Sequence, residues 1–366
     1  MIKTTAIRSV KEESMMVTWD IGRRCNFDCT YCESTRHDNH SSYTEYDELK
    51  NTFDFIKSWT AIYNSRRKIP VGTGINFTGG EPTINPNFWK LVSLIKEEGD
   101  NFNLSLTTNG SWGPEYSKRI VKEFFGVTIS YHAEASQKFK DRVIKNILEL
   151  SKTSIWLQVN IMLHVDYWDE CVELCELLEK NNVKYQPRPI GDGGIERTGW
   201  FQDADGSQRR TSHTYTAEQK QWFWNKKGIE KKDTTASEGG SLGRSCCGGR
   251  CLQGKVDGEW QPVVLVDTEF KGWNCMVDWY FLHIDQATKL VYHHQTCQAL
   301  HRNKRGALGS LDNVPLMIRE VMDRLTSPQA IVCPNQRCGC GMCISKARDK
   351  EDFDVIWNEV TELQLN

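Results

Sequence analysis

The chain has 366 residues, enough for one barrel-sized domain and a smaller second one. Its 46 basic and 48 acidic residues give a net charge of -2 with mixed signs, which provides no global field for nucleic acid or an anionic membrane. The start, Met1 to Val10, lacks the apolar core of a signal peptide, and no later segment approaches the apolar length of a membrane span, so a soluble cytoplasmic protein is expected.

In chain order, Met15 to Ile21 reads as the first strand, a short run with β-branched and aromatic residues. The loop Cys25-Asn26-Phe27-Asp28-Cys29-Thr30-Tyr31-Cys32 follows it. Three thiols spaced by three and then two residues can converge from one loop onto an iron-sulfur cluster, leaving one iron without a protein ligand. Such an open position marks a catalytic rather than a structural site. A zinc site, a disulfide or core thiols are the alternatives. Zinc sites usually pair two CxxC or CxxH units, and no second unit lies close by; a disulfide needs an oxidising compartment.

The next two hundred residues alternate helix-like and strand-like stretches. Thr44 to Asp47 resembles a capping-box start, with Leu49, Phe53, Ile56, Ala61 and Tyr63 near helical period. Ile75 to Thr78 is the second strand and delivers Gly79-Gly80-Glu81-Pro82. A helix from Pro86, a strand at Leu104 to Thr107 ending in Asn109, and a helix at Pro114 to Phe125 come next. Strand four is Val127 to Tyr131, followed by a helix near Val143 to Leu150. Strand five is Ile155 to Ile161, the fifth helix Asp166 to Asn181 and strand six Lys184 to Arg188. Six βα units predict a parallel sheet with right-handed crossovers. Each suspect motif follows the C-terminal end of a strand, where a β/α barrel places its active site. Cys171 and Cys175 share one helix face with Leu174 and Leu178 and read as core thiols.

From Gly191 to Gly243 the chain is polar, with one helix-like island from Thr216 to Trp224. It reads as a bridge over the barrel mouth, reaching substrate through Trp222, Phe223 and Trp224, or as an insertion with one docked helix. Nine of the fourteen cysteines follow Ser245. Cys246, Cys247 and Cys251 come first, then Cys275 and Cys297 flanking two β-rich halves, then Cys333, Cys338, Cys340 and Cys343. In a cytoplasmic chain such clustering favours metal ligation, with zinc the alternative to a cluster.

CxxxCxxC with an aromatic residue before the last Cys, followed by Gly-Gly-Glu-Pro, resembles the radical S-adenosylmethionine (radical SAM) superfamily. The resemblance implies a partial (β/α)6 barrel over residues 1–190 and a [4Fe-4S] cluster on Cys25, Cys29 and Cys32 whose open iron chelates SAM. It also implies SAM contacts from Tyr31, Gly79, Gly80, Glu81, Pro82, Asn109, Ser130, His132, Asn160 and Arg188, with Glu81→Ala expected to keep its iron but bind SAM weakly. The C-terminal cysteines resemble the twitch/SPASM auxiliary-cluster domain, although Cys333 to Cys343 departs from its usual CxxCx5Cx3C spacing. We therefore expect a bridge over 191–244 and a small Cys-rich α+β domain over 245–366. That domain would hold at least one auxiliary cluster on Cys275, Cys297, Cys340 and Cys343, with Cys251, Cys333 and Cys338 as further ligands. Cys246, Cys247 and Cys251 are candidate hydrogen donors. By the same resemblance, a reductant such as flavodoxin or ferredoxin supplies electrons. The substrate is expected to be a ribosomally made peptide, with oxidation or crosslinking as the outcome. Dehydrogenation or epimerisation of a sugar or other polar metabolite is the alternative within the family, and a noncatalytic iron-sulfur or zinc protein the alternative outside it.

Overall fold

A computed structural model describes residues 4–9, 14–32, 37–191, 195, 201–202, 208–209, 213–226, 252–262, 269–292, 307–326, 330–333 and 344–361. The first strand of the structure, β1 (Thr4–Ser9), lies ahead of the first expected one. Then come β2 (Met15–Asp20), α1 (Tyr46–Asn64), β3 (Thr73–Thr78), α2 (Phe88–Glu97), β4 (Phe102–Thr108), α3 (Ser117–Glu123) and β5 (Gly126–His132). The series continues with α4 (Gln137–Leu150), β6 (Trp156–Leu163), α5 (Trp168–Lys180) and β7 (Tyr185–Pro189). β2 to β7 are parallel neighbours in chain order, the parallel sheet expected from the alternation and the partial (β/α)6 barrel implied by the resemblance.

The strands are two-faced. Val17, Ile75 and Leu104 stand in register across β2 to β4 and are at most 1% exposed, as are Phe77, Leu106 and Ile129. The helices cover this face: α1 buries Leu49, Phe53, Ile56, Trp59 and Tyr63 at helical spacing, and Phe88 of α2 meets Phe77 edge-on at 5.3 Å. Each such side chain removed from water contributes about 1.5–3 kcal/mol. The opposite face is polar. Thr18, Asn76 and Ser105 share one rung, and Ser130, Asn160 and Gln186 another. Asn76 Oδ1 accepts hydrogen bonds from Ser105 (3.1 Å) and Thr107 (3.3 Å). The barrel is thus closed on its outside by apolar packing and keeps a polar lumen.

The capping box expected at Thr44 does not form. Thr44 donates its hydroxyl to the Ile21 carbonyl at 2.7 Å, and Glu45 precedes α1 without a side-chain cap. Tying the helix start to the strand end outweighs a local cap worth about 1 kcal/mol.

After β7 the chain forms a short pair, β8 (Phe201–Gln202) and β9 (Gln208–Arg209), then α6 (Ala217–Lys226), β10 (Leu252–Val256), β11 (Glu259–Pro262) and β12 (Asn274–Cys275). α7 (Val277–Tyr280) leads into β13 (Phe281–Asp285) and β14 (Leu290–Tyr292), the hairpin expected between Cys275 and Cys297. The expected division at 244/245 does not follow the hydrogen bonding. β13 lies parallel to β2, with Phe281 opposite Met16 and Asp285 opposite Asp20, so this hairpin extends the barrel sheet. Conversely β1 leaves the barrel and pairs with β10 and with the strand Lys346–Ala347. Main-chain ladders therefore join both ends of the chain. No helix among the described residues is long and apolar enough to cross a membrane.

Candidate active site

The cysteine loop is fastened to the glycine motif by backbone alone. Ile21 N–H donates to Thr78 O (3.0 Å), Gly80 N–H to Gly22 O and Glu81 N–H to Arg24 O, both at 2.9 Å. This close approach explains the two glycines. A Cβ on Gly79 would stand 2.5 Å from Gly22 O, and one on Gly80 would stand 2.3 Å from both Arg23 O and Arg24 O. Gly79 also has φ +115°, a conformation that L side chains rarely adopt. Beside the SAM contact expected of them, these glycines admit the backbone of Gly22 to Arg24, the segment that leads into the cysteine loop. Its far side is pinned by Cys25 N–H to Asp38 O at 2.7 Å and by a hydrogen bond between the His37 ring and Phe27 O.

Within the loop, Cys25 and Cys29 are buried and Cys32 is half-buried. The Phe27 amide points at Cys25 Sγ from 3.4 Å and Asn109 Nδ2 from 3.8 Å. Burial, followed by the Glu81 charge, pushes the Cys25 thiol up to about 12, and burial with the neighbouring Cys32 sulfur pushes Cys29 higher still. Metal binding must therefore displace protons from these sulfurs. Among the described residues no three His, Cys, Asp or Glu side chains converge on a point that could hold one ion. An iron-sulfur cubane takes each thiolate at its own iron and is tuned by N–H donors to sulfur, and the three thiols with the Phe27 and Asn109 donors fit such a cluster.

Glu81 is 2% exposed, and its carboxylate is already engaged. Oε1 accepts from Thr83 N–H (3.0 Å), the Thr83 hydroxyl and the Thr108 hydroxyl (2.7 Å), and Oε2 accepts from Asn109 N–H at 2.7 Å. Burial raises its pKa and these bonds counter the rise. The side chain thus clamps the end of β3 to the end of β4. Pro82, buried, opens the short helical turn Pro82–Ile84 beside it.

Around Tyr31 the structure assembles imidazoles. The Tyr31 hydroxyl lies 2.6 Å from His132 Nδ1, and the rings stack at 5.9 Å. Desolvation and the proximity of His37 hold His132 down at about 4, so the imidazole that shares this hydrogen bond with the Tyr31 phenol is neutral. His164 and His213 stand 6.0 and 6.1 Å from the Tyr31 ring and 4.3 Å from each other. Neither histidine, nor Glu134 beside them, was singled out in the sequence. His164 lies just beyond the end expected for strand five, so the strand-end rule extended by three residues would have found it. His213 carried no local signal.

Farther along the strand ends, Asn160 Oδ1 is buried with no partner among the described residues, and Ser130 sits beside it in register. Arg188 makes no hydrogen bond or ion pair among the described residues, and desolvation alone lowers its pKa. His132 and Arg188 flank Met162 on the next rung. A second unforeseen pair, His283 Nε2 to Asp20 Oδ2 at 3.0 Å, joins β13 to β2.

The bridge reaches these strand ends through His213 and Tyr215. The Tyr215 hydroxyl donates to Leu163 O and accepts from Ile190 N–H, both at 2.7 Å. Trp222, Phe223 and Trp224 do not serve as expected. Trp222 packs on Trp168 of α5 at 5.3 Å, Phe223 is 2% exposed, and Lys226 pairs with Glu179 of α5 at 2.8 Å. The helix prefers to bury its aromatics against the barrel exterior. Cys171 and Cys175 are fully buried, as expected of core thiols.

Of the proposed auxiliary ligands, Cys275 and Cys333 are described. β12 pairs with the strand Ile331–Val332, placing Cys275 opposite Ile331, and Cys333 follows with its N–H donating to Trp273 O at 2.9 Å. By the two-residue period both sulfurs lie on one face as diagonal neighbours. Cys246, Cys247, Cys251, Cys297, Cys338, Cys340 and Cys343 lie outside the described residues.

Comparison with known proteins agrees with this geometry. A GTP 3',8-cyclase of Nautilia profundicola is 28% identical over 171 residues, 43% of this chain and 49% of that protein. An S-adenosylmethionine-dependent nucleotide dehydratase of Selenomonas ruminantium is 30% identical over 95 residues, 26% of this chain and 30% of that protein. The chain thus spans about half or less of these two relatives' own length. Streptococcus suis SuiB superposes with TM-score 0.48 at 12% identity, covering 87% of this chain and 67% of that one. The sequence profile described as Radical SAM superfamily matches residues 19–178, which hold the cysteine loop, the glycine motif and strands β3 to β6, so this part of the chain is a radical SAM domain.

Proposed function

We propose that this protein cleaves S-adenosylmethionine reductively at a cluster held by Cys25, Cys29 and Cys32, and uses the product to abstract hydrogen from a polar substrate. One observation carries the reading: a three-thiol loop is zipped by backbone to Gly80 and Glu81, and the ends of the barrel strands carry Asn160, whose buried Oδ1 has no partner among the described residues, and Arg188, which makes no hydrogen bond or ion pair among them. When bound, the cluster and SAM supply an electron and a 5'-deoxyadenosyl radical. The chain's own residues supply the rest. Arg188 offers a planar two-point donor for the methionine carboxylate, and Asn160 and Ser130 offer polar contacts to the ribose. Tyr31, fixed by His132, walls the site beside Cys32 and excludes water.

On the substrate, the peptide expectation rested on the aromatic bridge, and Trp222 of that bridge docks on Trp168 of α5. The lumen is instead lined by Thr18, Asn76, Ser105, Ser130, Asn160 and Gln186, suited to hydroxyl, amide or phosphate groups. Two curated relatives are named for GTP and nucleotide reactions. We therefore place a polar metabolite ahead of a ribosomally made peptide, with net oxidation as the outcome. An auxiliary cluster including Cys275 and Cys333 would receive the substrate electron, and flavodoxin or ferredoxin would reduce the first cluster.

The test is anaerobic reconstitution followed by SAM and dithionite. Wild-type protein should release 5'-deoxyadenosine, and the triple variant Cys25→Ala, Cys29→Ala, Cys32→Ala should release none. Equal release from both would refute the assignment.

A further inference from the structure

Glu134 occupies the turn between β5 and α4, far in sequence from the cysteine loop, yet its carboxylate belongs to that loop. Oε2 accepts from Thr30 N–H at 2.8 Å and Oε1 from the Thr30 hydroxyl at 2.6 Å, so both oxygens grip the residue directly after Cys29. A third donor arrives from β6: His164 Nε2 lies 3.1 Å from Oε1. The tautomer of His164 is fixed by its surroundings. Its Nδ1 accepts from Asp166 N–H at 3.2 Å, so the proton sits on Nε2 and points at Glu134. The ring is held in turn by His213, edge-on at 4.3 Å, whose Nδ1 accepts from Val165 N–H at 3.2 Å. The side chains of Glu134 and His164 are only 15% and 5% exposed, so solvent screens this charge little.

We propose that Glu134 is a positioning residue for charge: held by Thr30 and oriented by His164, it fixes a negative charge beside the Cys29–Cys32 turn and lowers the reduction potential of the cluster bound there. This rests on the cluster reading above. The physical reason is direct. A buried negative charge opposes adding an electron to a nearby cluster, and cluster potentials respond to local charge, hydrogen bonds to sulfur and solvent exposure. A low potential is what reduction of a sulfonium requires, so the residue would act on the driving force without touching SAM.

The experiment is an anaerobic redox titration of the reconstituted protein, following the EPR signal that changes on adding SAM, together with iron and sulfide analysis. Glu134→Gln keeps the shape and an acceptor for the Thr30 amide but removes the charge. Its cluster should become easier to reduce by about tenfold in equilibrium constant, about 59 mV for one electron. Glu134→Asp keeps the charge and should stay close to wild type. A fully loaded Glu134→Gln protein with the wild-type potential overturns the proposal, as does an equal shift in Glu134→Asp. Loss of iron in Glu134→Gln would make the residue a loop staple and overturn it too. If the wild-type loop binds no iron and sulfide, the cluster assignment itself fails, a result distinct from all of these.

Discussion

The Asn109 N–H donates to the Glu81 carboxylate at 2.7 Å, and the Asn109 side chain in turn points Nδ2 at Cys25 Sγ from 3.8 Å. One acidic side chain therefore holds a residue that contacts the cysteine loop. The Glu81 carboxylate has four internal donors, so Glu81→Ala should do more than weaken SAM binding. It leaves the Asn109 amide and the Thr108 hydroxyl without acceptors, at a cost of about 2–5 kcal/mol in total. Thermal denaturation of the apo protein should show the loss, and reconstituted iron should fall. An Ala variant with wild-type stability and full iron would show the clamp to be dispensable.

Gly80→Ala tests the backbone zipper. The added methyl would meet the Arg23 and Arg24 carbonyl oxygens at 2.3 Å, and backbone cannot turn aside as a flexible side chain can. The expected destabilisation is about 1–3 kcal/mol, with reduced iron after reconstitution because the displaced segment leads directly into Cys25. Gly99→Ala is the control: its Cβ would meet nothing within 4 Å, although its own positive φ carries a smaller backbone penalty.

The alternation of apolar strands and amphipathic helices made the barrel legible, because one strand face and one helix face must be buried together. Strand ends then pointed to Asn109, Ser130, His132, Asn160 and Arg188. Illegible were the ladders between distant segments. β1 is short, and its partner is 243 to 252 residues away in the register Ser9 to Leu252 and Thr4 to Val256. Nothing local announces such pairing. The same holds for Glu134, whose role depends on Thr30 and His164 brought near by three different loops. The packing roles of the glycines and Glu81 were illegible for a related reason: a motif shows that small or acidic residues are required, but only packing shows against what.

His132 gives a prediction in pH. Its folded pKa of about 4 lies below the ordinary 6.5, through desolvation first and the nearby His37 second, while the Glu134 charge opposes the shift. Between these values the unfolded chain binds a proton that the folded chain refuses, so stability is full above about 6.5 and declines as pH falls toward 4. The contribution is at most about 3 kcal/mol. In denaturant titrations at pH 7 and pH 4.5, His132→Phe should lose less stability than wild type between the two. An equal loss would mean that other groups carry the acid sensitivity.

SAM binding is tested at two residues that meet no partner among the described residues. Arg188 makes no hydrogen bond or ion pair there, and Asn160 Oδ1 is buried without a donor. A buried acceptor left unpaired costs about 1–3 kcal/mol, a cost that a ligand hydroxyl would relieve. A charge-assisted contact from Arg188 to a carboxylate contributes about 1.5–3 kcal/mol, or roughly 10- to 150-fold in affinity. Arg188→Lys keeps the charge but loses the two-point fork and should recover only part of this. Equilibrium dialysis with reconstituted protein is the measurement, with iron content as the control for loop integrity. Arg188→Ala and Asn160→Ala should each weaken SAM binding while keeping full iron, because neither side chain contacts the cysteine loop. Stabilities of the apo variants should separate them further. Removing Asn160 deletes an unsatisfied acceptor and should leave the apo protein as stable as wild type or more so, the reverse of what a structural residue would show. A destabilised Asn160→Ala protein with unchanged SAM affinity would remove this asparagine from the site and leave Arg188 to be judged alone.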